Sequence, residues 1–180
     1  METNQCKPVA VSRRIEAPAH DIFKLLADPG RHPDFDGSGM LREGASNAPI
    51  SSVGDVFLMK MHFPDMGDYE MDNHVVAYEL DRRIAWDPAL RRADTASAAF
   101  ADGADGADGA DGAEPARNGS RWMFALTPEG PDATLVTETY DCSGSPDQVR
   151  DAVDNGNNWI DAMTTTLRRL DELCATGIAR

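Results

Sequence analysis

The feature that most constrains the fold is a long apolar repeat near the C-terminus of the chain. Apolar positions recur there at intervals of three or four residues, which is the spacing of one face of an α-helix. The positions are Val149, Val153, Gly156, Ile160, Met163, Leu167, Leu170 and Cys174. Ser145, Pro146 and Gln148 precede them in the order of a capping box with proline at the first helical position. The pattern predicts one amphipathic helix of about 27 residues, about 40 Å long, lying across the rest of the fold. The run of asparagine and glycine at residues 155–158 is expected to loosen it locally near its start.

The segments before this helix alternate apolar and polar residues with the period of β-strands. A first strand is predicted from Val9 to near Glu16, followed by a helix that Pro18 opens and a short helical piece near residues 29–35. The later strands are predicted at residues 40–43, 55–63, 69–80, 83–87, 121–127 and 134–140. Because short turns join these strands, we expect an antiparallel meander.

A curved sheet that closes on one helix leaves space beneath the helix unless bulky side chains fill it. The predicted inner face and the helix supply such residues, which we take as the candidate ligand cavity: Met59, Met61, His74, Val76, Tyr78, Trp86, Trp122, Phe124, Trp159 and Met163. Methionine adapts to irregular shapes, and the polar tips of Trp and Tyr can meet a ligand. The alternative is that these side chains only pack the core.

Few residues qualify for acid–base chemistry. His74 has the same parity as Val76 and Tyr78, so we expect its imidazole to point into the cavity, and His74 and Tyr78 are the candidate catalytic residues. His62 has the opposite parity and is expected to face solvent or the hairpin end. His32 is expected to form a local hydrogen bond, and Asp36 to cap the turn that follows it.

One segment differs in composition from the rest of the chain. Residues 101–113 read ADGADGADGADGA, and glycine and aspartate at every third place oppose a helix. We predict a flexible acidic loop at about residues 93–118, between two strands. The aspartate spacing matches neither an EF-hand loop nor a calcium-binding nonapeptide, so no metal site is predicted.

The charge balance bears on the class of partner. The 17 Lys and Arg against 31 Asp and Glu give a net charge of −14. Such a surface opposes binding to nucleic acid and to anionic membranes. No apolar run approaches the length of a spanning helix, so we expect no membrane insertion and a soluble, cytoplasmic protein. Cys6, Cys142 and Cys174 show no metal-binding spacing and are expected to be reduced thiols.

Several segments carry a resemblance to a known superfamily: SRRIEAPAHDIFKLLADP, HPDFDGSGMLR, VGDVF, RRIAWDP and NWIDAMTTTLRRLDEL. Together they resemble the START-like (SRPBCC, Bet v 1-like) superfamily, in its bacterial polyketide cyclase/dehydrase-like branch. The resemblance implies an α+β helix-grip fold over a single domain, residues 1–180. In that fold a curved antiparallel sheet of about seven strands wraps around a long C-terminal helix, with two short helices after the first strand. Members of the superfamily bind lipids, hormones or polyketides, catalyse cyclisation, or dock onto other proteins, so the fold alone assigns no activity.

Three hypotheses follow. The leading one is a binding protein that encloses a small hydrophobic or aromatic ligand, polyketide- or lipid-like, in the internal cavity, as a monomer or homodimer and without a cofactor. The second is a polyketide aromatase/cyclase or dehydratase that uses the same cavity. The third is a stress-related or interaction protein whose acidic surface, including the insert, recruits a basic partner.

Overall fold

The computed structural model describes residues 6–44, 48–91 and 117–177. Seven strands form its single sheet: β1 (Val9–Ile15), β2 (Leu41–Gly44), β3 (Val56–Phe63), β4 (Gly67–Glu79), β5 (Arg83–Leu90), β6 (Arg121–Pro128) and β7 (Thr134–Asp141). The helices are α1 (Ala19–Leu26), α2 (His32–Phe35), α3 (Asp147–Ala152) and α4 (Ile160–Ala175). Short 3₁₀ turns precede α2 (Pro29–Arg31) and α4 (Asp154–Trp159).

The sheet has the order β1-β7-β6-β5-β4-β3-β2, and every neighbouring pair is antiparallel. Strands β2 to β7 therefore form the predicted meander, and β1 extends it by pairing with β7. The predicted strands are confirmed to within two residues at each end, except that β5 continues to Leu90. The predicted short helices after β1 are also confirmed.

The core lies between the inner face of the sheet and the helices. Helix α1 buries its apolar side there: Ile22, Phe23, Leu25 and Leu26. Helix α4 contributes Met163, Leu167 and Leu170, each no more than 1% exposed. Full burial of one such side chain contributes about 1.5–3 kcal/mol. Packing of both helices therefore stabilises the curved sheet.

The C-terminal helix differs from its prediction. Instead of one rod of about 27 residues, the chain forms α3, a 3₁₀ turn and the 16-residue helix α4. Asn155 and Gly156 adopt left-handed conformations, with φ of 51° and 93°, and so break the helix. The predicted cap is also wrong, because Pro146 is the N-cap of α3 and the buried Ser145 hydroxyl has no partner.

A β-bulge in β4 changes which side chains share a face. Val75 lies opposite Trp86 on β5, but the next pair is Ala77 with Ala85, so Val76 is the extra residue. The alternation of side chains between the two faces of the sheet shifts by one residue at this point. His74 therefore lies on the opposite face from Tyr78. The prediction that these two residues share a face is therefore wrong, because parity holds only along an unbroken ladder.

The predicted acidic loop lies outside the described residues, apart from its last two positions. There Arg117 forms an isolated bridge with Ala89. The amide of Asn118 donates a hydrogen bond to the carbonyl oxygen of Pro88. The described chain thus re-enters the fold beside the end of β5.

Replacement of Gly156 tests the break between α3 and α4. A Cβ atom there would lie 3.0 Å from both Tyr140 and Val9, and the positive φ is unfavourable for any other residue. We expect Gly156→Ala to lower the free energy of unfolding by about 2–3 kcal/mol, measured by urea denaturation.

Gly67→Ala is the matched control, because Gly67 has a φ of +75° but no atom within 4 Å of a Cβ. Gly67→Ala should lower the free energy of unfolding only by the cost of the backbone strain, about 1 kcal/mol. An equal loss of stability in the two variants would contradict the close approach of Gly156 to the sheet.

Candidate functional site

A cleft opens at one end of the sheet, beside the beginning of α4. Its volume is about 420 Å³. The turn between α2 and β2, the tip of the β3–β4 hairpin and the first turns of α4 form its walls. The lining residues are Gly37, Ser38, Gly39, Met40, Arg42, His62, Phe63, Pro64, Asn158, Trp159, Asp161, Ala162 and Thr165. Its size lies within the range of about 300–1,000 Å³ typical of small-molecule sites.

The turn between α2 and β2 is held by the carboxylate of Asp36. Its oxygens accept hydrogen bonds from the amide and hydroxyl of Ser38, at 2.9 and 2.7 Å, and from the amide of Leu41 at 3.2 Å. The prediction that Asp36 caps this turn is confirmed. Because three donors converge on one side chain, this wall of the cleft is ordered without a ligand.

The same turn lies directly against α4. The amide of Gly37 donates to the hydroxyl of Thr166 at 2.9 Å, and Arg169 donates to the carbonyl oxygen of Asp36. A Cβ atom at Gly37 would lie only 2.0 Å from the carbonyl oxygen of Ala162, so no larger residue fits there. The absence of a side chain at Gly37 therefore sets the distance between the turn and the helix.

The lining of the cleft is mixed. Met40 and Phe63 offer apolar surface, whereas Arg42 and Asp161 offer opposite charges. His62, which also lines the cleft, has its Nδ1 2.7 Å from the carboxylate of Asp68 at the end of the β3–β4 hairpin. This confirms that His62 faces the hairpin end rather than the core. The arrangement suits a ligand with an apolar body and a polar or charged group.

An aromatic cluster stands at the α4 side of the cleft. The ring of Trp159 lies 5.9 Å from Trp122 and 6.1 Å from Tyr140, and Trp122 lies 4.5 Å from Tyr140. Met163 packs in the same cluster as Tyr140 and is 1% exposed. Three residues of the predicted cavity, Trp122, Trp159 and Met163, are therefore brought together here.

Most of the other predicted cavity residues pack in the core. Trp86 lies 5.4 Å from His32 and from Phe57, and 5.9 Å from Phe124. Met59 is buried in the same cluster, with Met61 and Tyr78 half-buried against it. Tyr78 makes an edge contact with Phe23 at 5.4 Å.

His32 lies inside this aromatic core. Its Nε2 lies 2.8 Å from the carbonyl oxygen of Leu26, which confirms the predicted local hydrogen bond. Burial lowers the pKa of His32, so the neutral imidazole stacks on Trp86. Its role is therefore to pack the core.

His74 lies outside the candidate site. It stands on the outer face of the sheet between Val56 and Asp87, and Asp87 in turn binds Arg121 at 2.7 Å. Its side chain is 7% exposed, and Nε2 has no hydrogen-bond partner. The prediction that His74 points into the cavity is wrong because of the bulge at Val76, which itself is half-buried outside the core cluster.

The sequence analysis missed Glu138, a buried acid on the inner face of β7. It lies between Val11 on β1 and Phe124 on β6, and it is 5% exposed. Its Oε2 has no hydrogen-bond partner. Burial, reinforced by the negative charge of Asp36, raises the pKa of Glu138 well above its usual value. The raised pKa favours the neutral carboxylic acid, the form that can donate a proton or a hydrogen bond.

A signal for Glu138 was present in the sequence. It shares parity with the buried residues Thr134, Val136 and Tyr140, and a charged residue at such a position is unusual. Perturbed acids of this kind concentrate at functional sites.

No helix within residues 6–44, 48–91 and 117–177 combines the length and apolar composition needed to cross a bilayer. Over the same ranges, no three His, Cys, Asp or Glu side chains are grouped so as to hold a metal ion.

The sequence matches no family model. It is 29% identical over 136 residues to uncharacterized protein Rv0088 of Mycobacterium tuberculosis, a match that covers 74% of this chain and 48% of the relative. The chain thus spans about half the length of the curated relative that it matches.

Two solved structures establish the architecture. A point mutant of norcoclaurine synthase from Thalictrum flavum, bound to a transition-state analogue, has a TM-score of 0.58 at 14% identity, with 95% of each chain covered. DynU16, a protein of the dynemicin biosynthetic locus, has a TM-score of 0.54 at 19% identity, with 94% of this chain and 48% of that chain covered. Together with the seven-stranded curled sheet and the helix α4 that packs against it, these likenesses show that the chain has the helix-grip, Bet v 1-like fold.

Proposed function

We propose that this protein binds a small hydrophobic or aromatic molecule, polyketide- or lipid-like, in the cleft between the α2–β2 turn, the β3–β4 hairpin and the start of α4. The observation that carries the proposal is the cleft itself, about 420 Å³ in volume and continuous with an aromatic cluster through Trp159. An apolar recess with a few polar groups is the usual form of a small-molecule site.

The lining suggests the chemistry of the ligand. Trp159 and Phe63 offer ring and edge contacts to an apolar or aromatic body. Arg42 supplies donors to a carboxylate, phenolate or carbonyl oxygen at the rim. Since the turn that carries Ser38 is already fixed by Asp36, binding would cost little ordering of this wall.

The proposed ligand position differs from the enclosed cavity expected from the sequence. Trp86, Phe57 and Phe124 occupy the volume beneath the middle of the helix layer. In this proposal the ligand enters at the end of the sheet, where Trp159 both lines the cleft and packs against the cluster that contains Met163.

A polyketide aromatase/cyclase or dehydratase is the second candidate function. It is supported by Glu138, because cyclisation and dehydration both need a proton donor; Glu138 is buried in the sheet and is not part of the cleft lining. Glu138 replaces His74 as the candidate acid, and Tyr78 is held in the core by Phe23. Norcoclaurine synthase and DynU16, which share the fold, come from biosynthetic contexts consistent with either function.

The proposals for compartment, domain organisation and oligomeric state are those made from the sequence. The chain acts in the cytoplasm as a single domain over residues 1–180, as a monomer or homodimer and without a cofactor. The alternative of an adaptor that recruits a basic partner rests on the acidic insert, which lies outside the described residues. Excision of residues 101–113 should leave ligand binding unchanged under the leading proposal.

Replacement of Trp159 tests the cleft. With 8-anilinonaphthalene-1-sulfonate as a probe, fluorescence titration should give one saturable site in the wild-type protein. Trp159→Ala should raise the dissociation constant about tenfold or more, since an aromatic contact of this size contributes about 1.5–3 kcal/mol to binding. Trp159→Phe, which keeps an aromatic face, should stay within about threefold of the wild type.

Leu80→Ala is the control for nonspecific probe binding, because Leu80 is 60% exposed and lies outside the cleft. It should leave the dissociation constant unchanged. Equal affinity in the wild-type and Trp159→Ala proteins would overturn the proposed site. Native mass spectrometry of protein purified from its own host then identifies the co-purified ligand.

Replacement of Glu138 by Gln tests its protonation. A raised pKa means that the folded state holds the proton more tightly, so wild-type stability should fall as pH rises from about 4.5 through the folded-state pKa. Glu138→Gln should lack this loss, and its stability relative to wild type should therefore grow between pH 4.5 and pH 8.5 in urea denaturation.

The matched control is Glu172→Gln, an exposed glutamate paired with Arg168 on α4. Its stability should differ from wild type by less than about 0.5 kcal/mol at both pH values. A stability difference between Glu138→Gln and wild type that stays constant across this pH range would show that Glu138 ionises normally in the folded protein.

A further inference from the structure

The two cysteines Cys6 and Cys142 lie side by side in the folded protein. They are 136 positions apart in the chain, yet their Sγ atoms are 3.2 Å apart. The pairing follows from the sheet, because β1 and β7 are antiparallel and Val9 lies opposite Tyr140. Cys6 precedes the first of these strands and Cys142 follows the second, so the register brings the two thiols to the same end of the sheet.

The sulfur separation is only about 1.2 Å longer than a disulfide bond. Cys142 is 1% exposed, whereas Cys6 is half-buried, so an oxidant in solution reaches Cys6 first. Burial and the neighbouring Cys6 raise the pKa of the Cys142 thiol to about 11. The pair is therefore asymmetric, with one accessible thiol and one protected thiol in contact with it.

The third cysteine provides the contrast. Cys174 lies near the end of α4 and packs against the main core cluster, whereas Cys142 and Cys6 belong to the cluster around Tyr140 and Met163. The thiol of Cys174 also has a raised pKa, of about 11, because it is buried and near Asp171. It therefore serves as an internal control with similar chemistry and no thiol neighbour among the described residues.

We propose that Cys6 and Cys142 are a redox-active dithiol that forms an intramolecular disulfide by exchange with a low-molecular-weight disulfide such as glutathione disulfide. The Cys6 thiolate attacks one sulfur of glutathione disulfide, forms a mixed disulfide and releases one glutathione thiolate. The Cys142 thiol then loses its proton to solvent, and its sulfur attacks Sγ of Cys6 and displaces the second glutathione. The protein loses two electrons and two protons, and glutathione disulfide becomes two molecules of glutathione.

The bond would tie the N-terminal segment to the exit of β7 beside the helix break. Sγ of Cys6 is 3.9 Å from the carbonyl oxygen of Asn155, and Trp159 packs against the same cluster. Since Trp159 lines the cleft, the disulfide stabilises one wall of the proposed ligand site. The thiol pair itself is independent of whether a ligand binds there.

The test uses the full chain, reduced and then equilibrated in buffers of increasing ratio of oxidised to reduced glutathione. After acid quenching and denaturation, N-ethylmaleimide should label three cysteines in the reduced protein and one in the oxidised protein, by intact mass. Peptide mapping should find Cys6 joined to Cys142. The oxidised form should unfold at a temperature roughly 10 °C higher, because a bond closing so long a loop restricts the unfolded chain.

Single-cysteine variants complete the experiment. Cys174→Ser should oxidise at the same glutathione ratio as the wild type, whereas Cys6→Ser and Cys142→Ser should each lose the intramolecular bond. Three labelled cysteines at every glutathione ratio would overturn the proposal. The proposal would also be overturned by a disulfide that includes Cys174 or by one that forms only between two chains. A lower unfolding temperature on oxidation would contradict it as well.

Discussion

The contact between Gly37 and helix α4 organises the end of the molecule where the candidate site lies. Because Gly37 has no side chain, the α2–β2 turn approaches the carbonyl oxygen of Ala162 more closely than any other residue would allow. Thr166 and Arg169 bind this turn through their side chains, and Asp36 holds it from within. The position of α4 over the sheet, and with it the opening of the cleft, depends on this junction.

The same junction sets the electrostatics of the interior. Asp36 stands near enough to the buried Glu138 for its negative charge to raise the pKa of that acid. Burial and the charge of Asp36 both favour the neutral form of this carboxyl group. A carboxyl group with a raised pKa can act as a hydrogen-bond donor or as a proton donor.

Packing divides the bulky residues of the inner face into two groups. Trp86, Phe57 and Phe124 surround His32 and fill the centre of the fold, where they stabilise it. Trp122, Trp159 and Tyr140 gather at one end, beside the cleft. Residue type alone does not separate these groups, because both consist of aromatic side chains at inward positions. The separation depends on where α1, α2 and α4 cover the sheet.

The sequence by itself determined the strands, the meander, the short helices after β1, the turn at Asp36 and the outward orientation of His62. Each depends on alternation or on hydrogen bonds between residues close in the chain. Tertiary structure alone decided the rest. The left-handed residues Asn155 and Gly156 break the C-terminal helix where Gly156 packs against Val9 and Tyr140. The bulge at Val76 turns His74 outward, the strand register brings Cys6 to Cys142, and the helix layer buries Glu138 beside Asp36. These features depend on contacts between residues distant in the chain or on a single inserted residue. The sequence itself showed only the inward parity of Glu138 and the run of asparagine and glycine at residues 155–158.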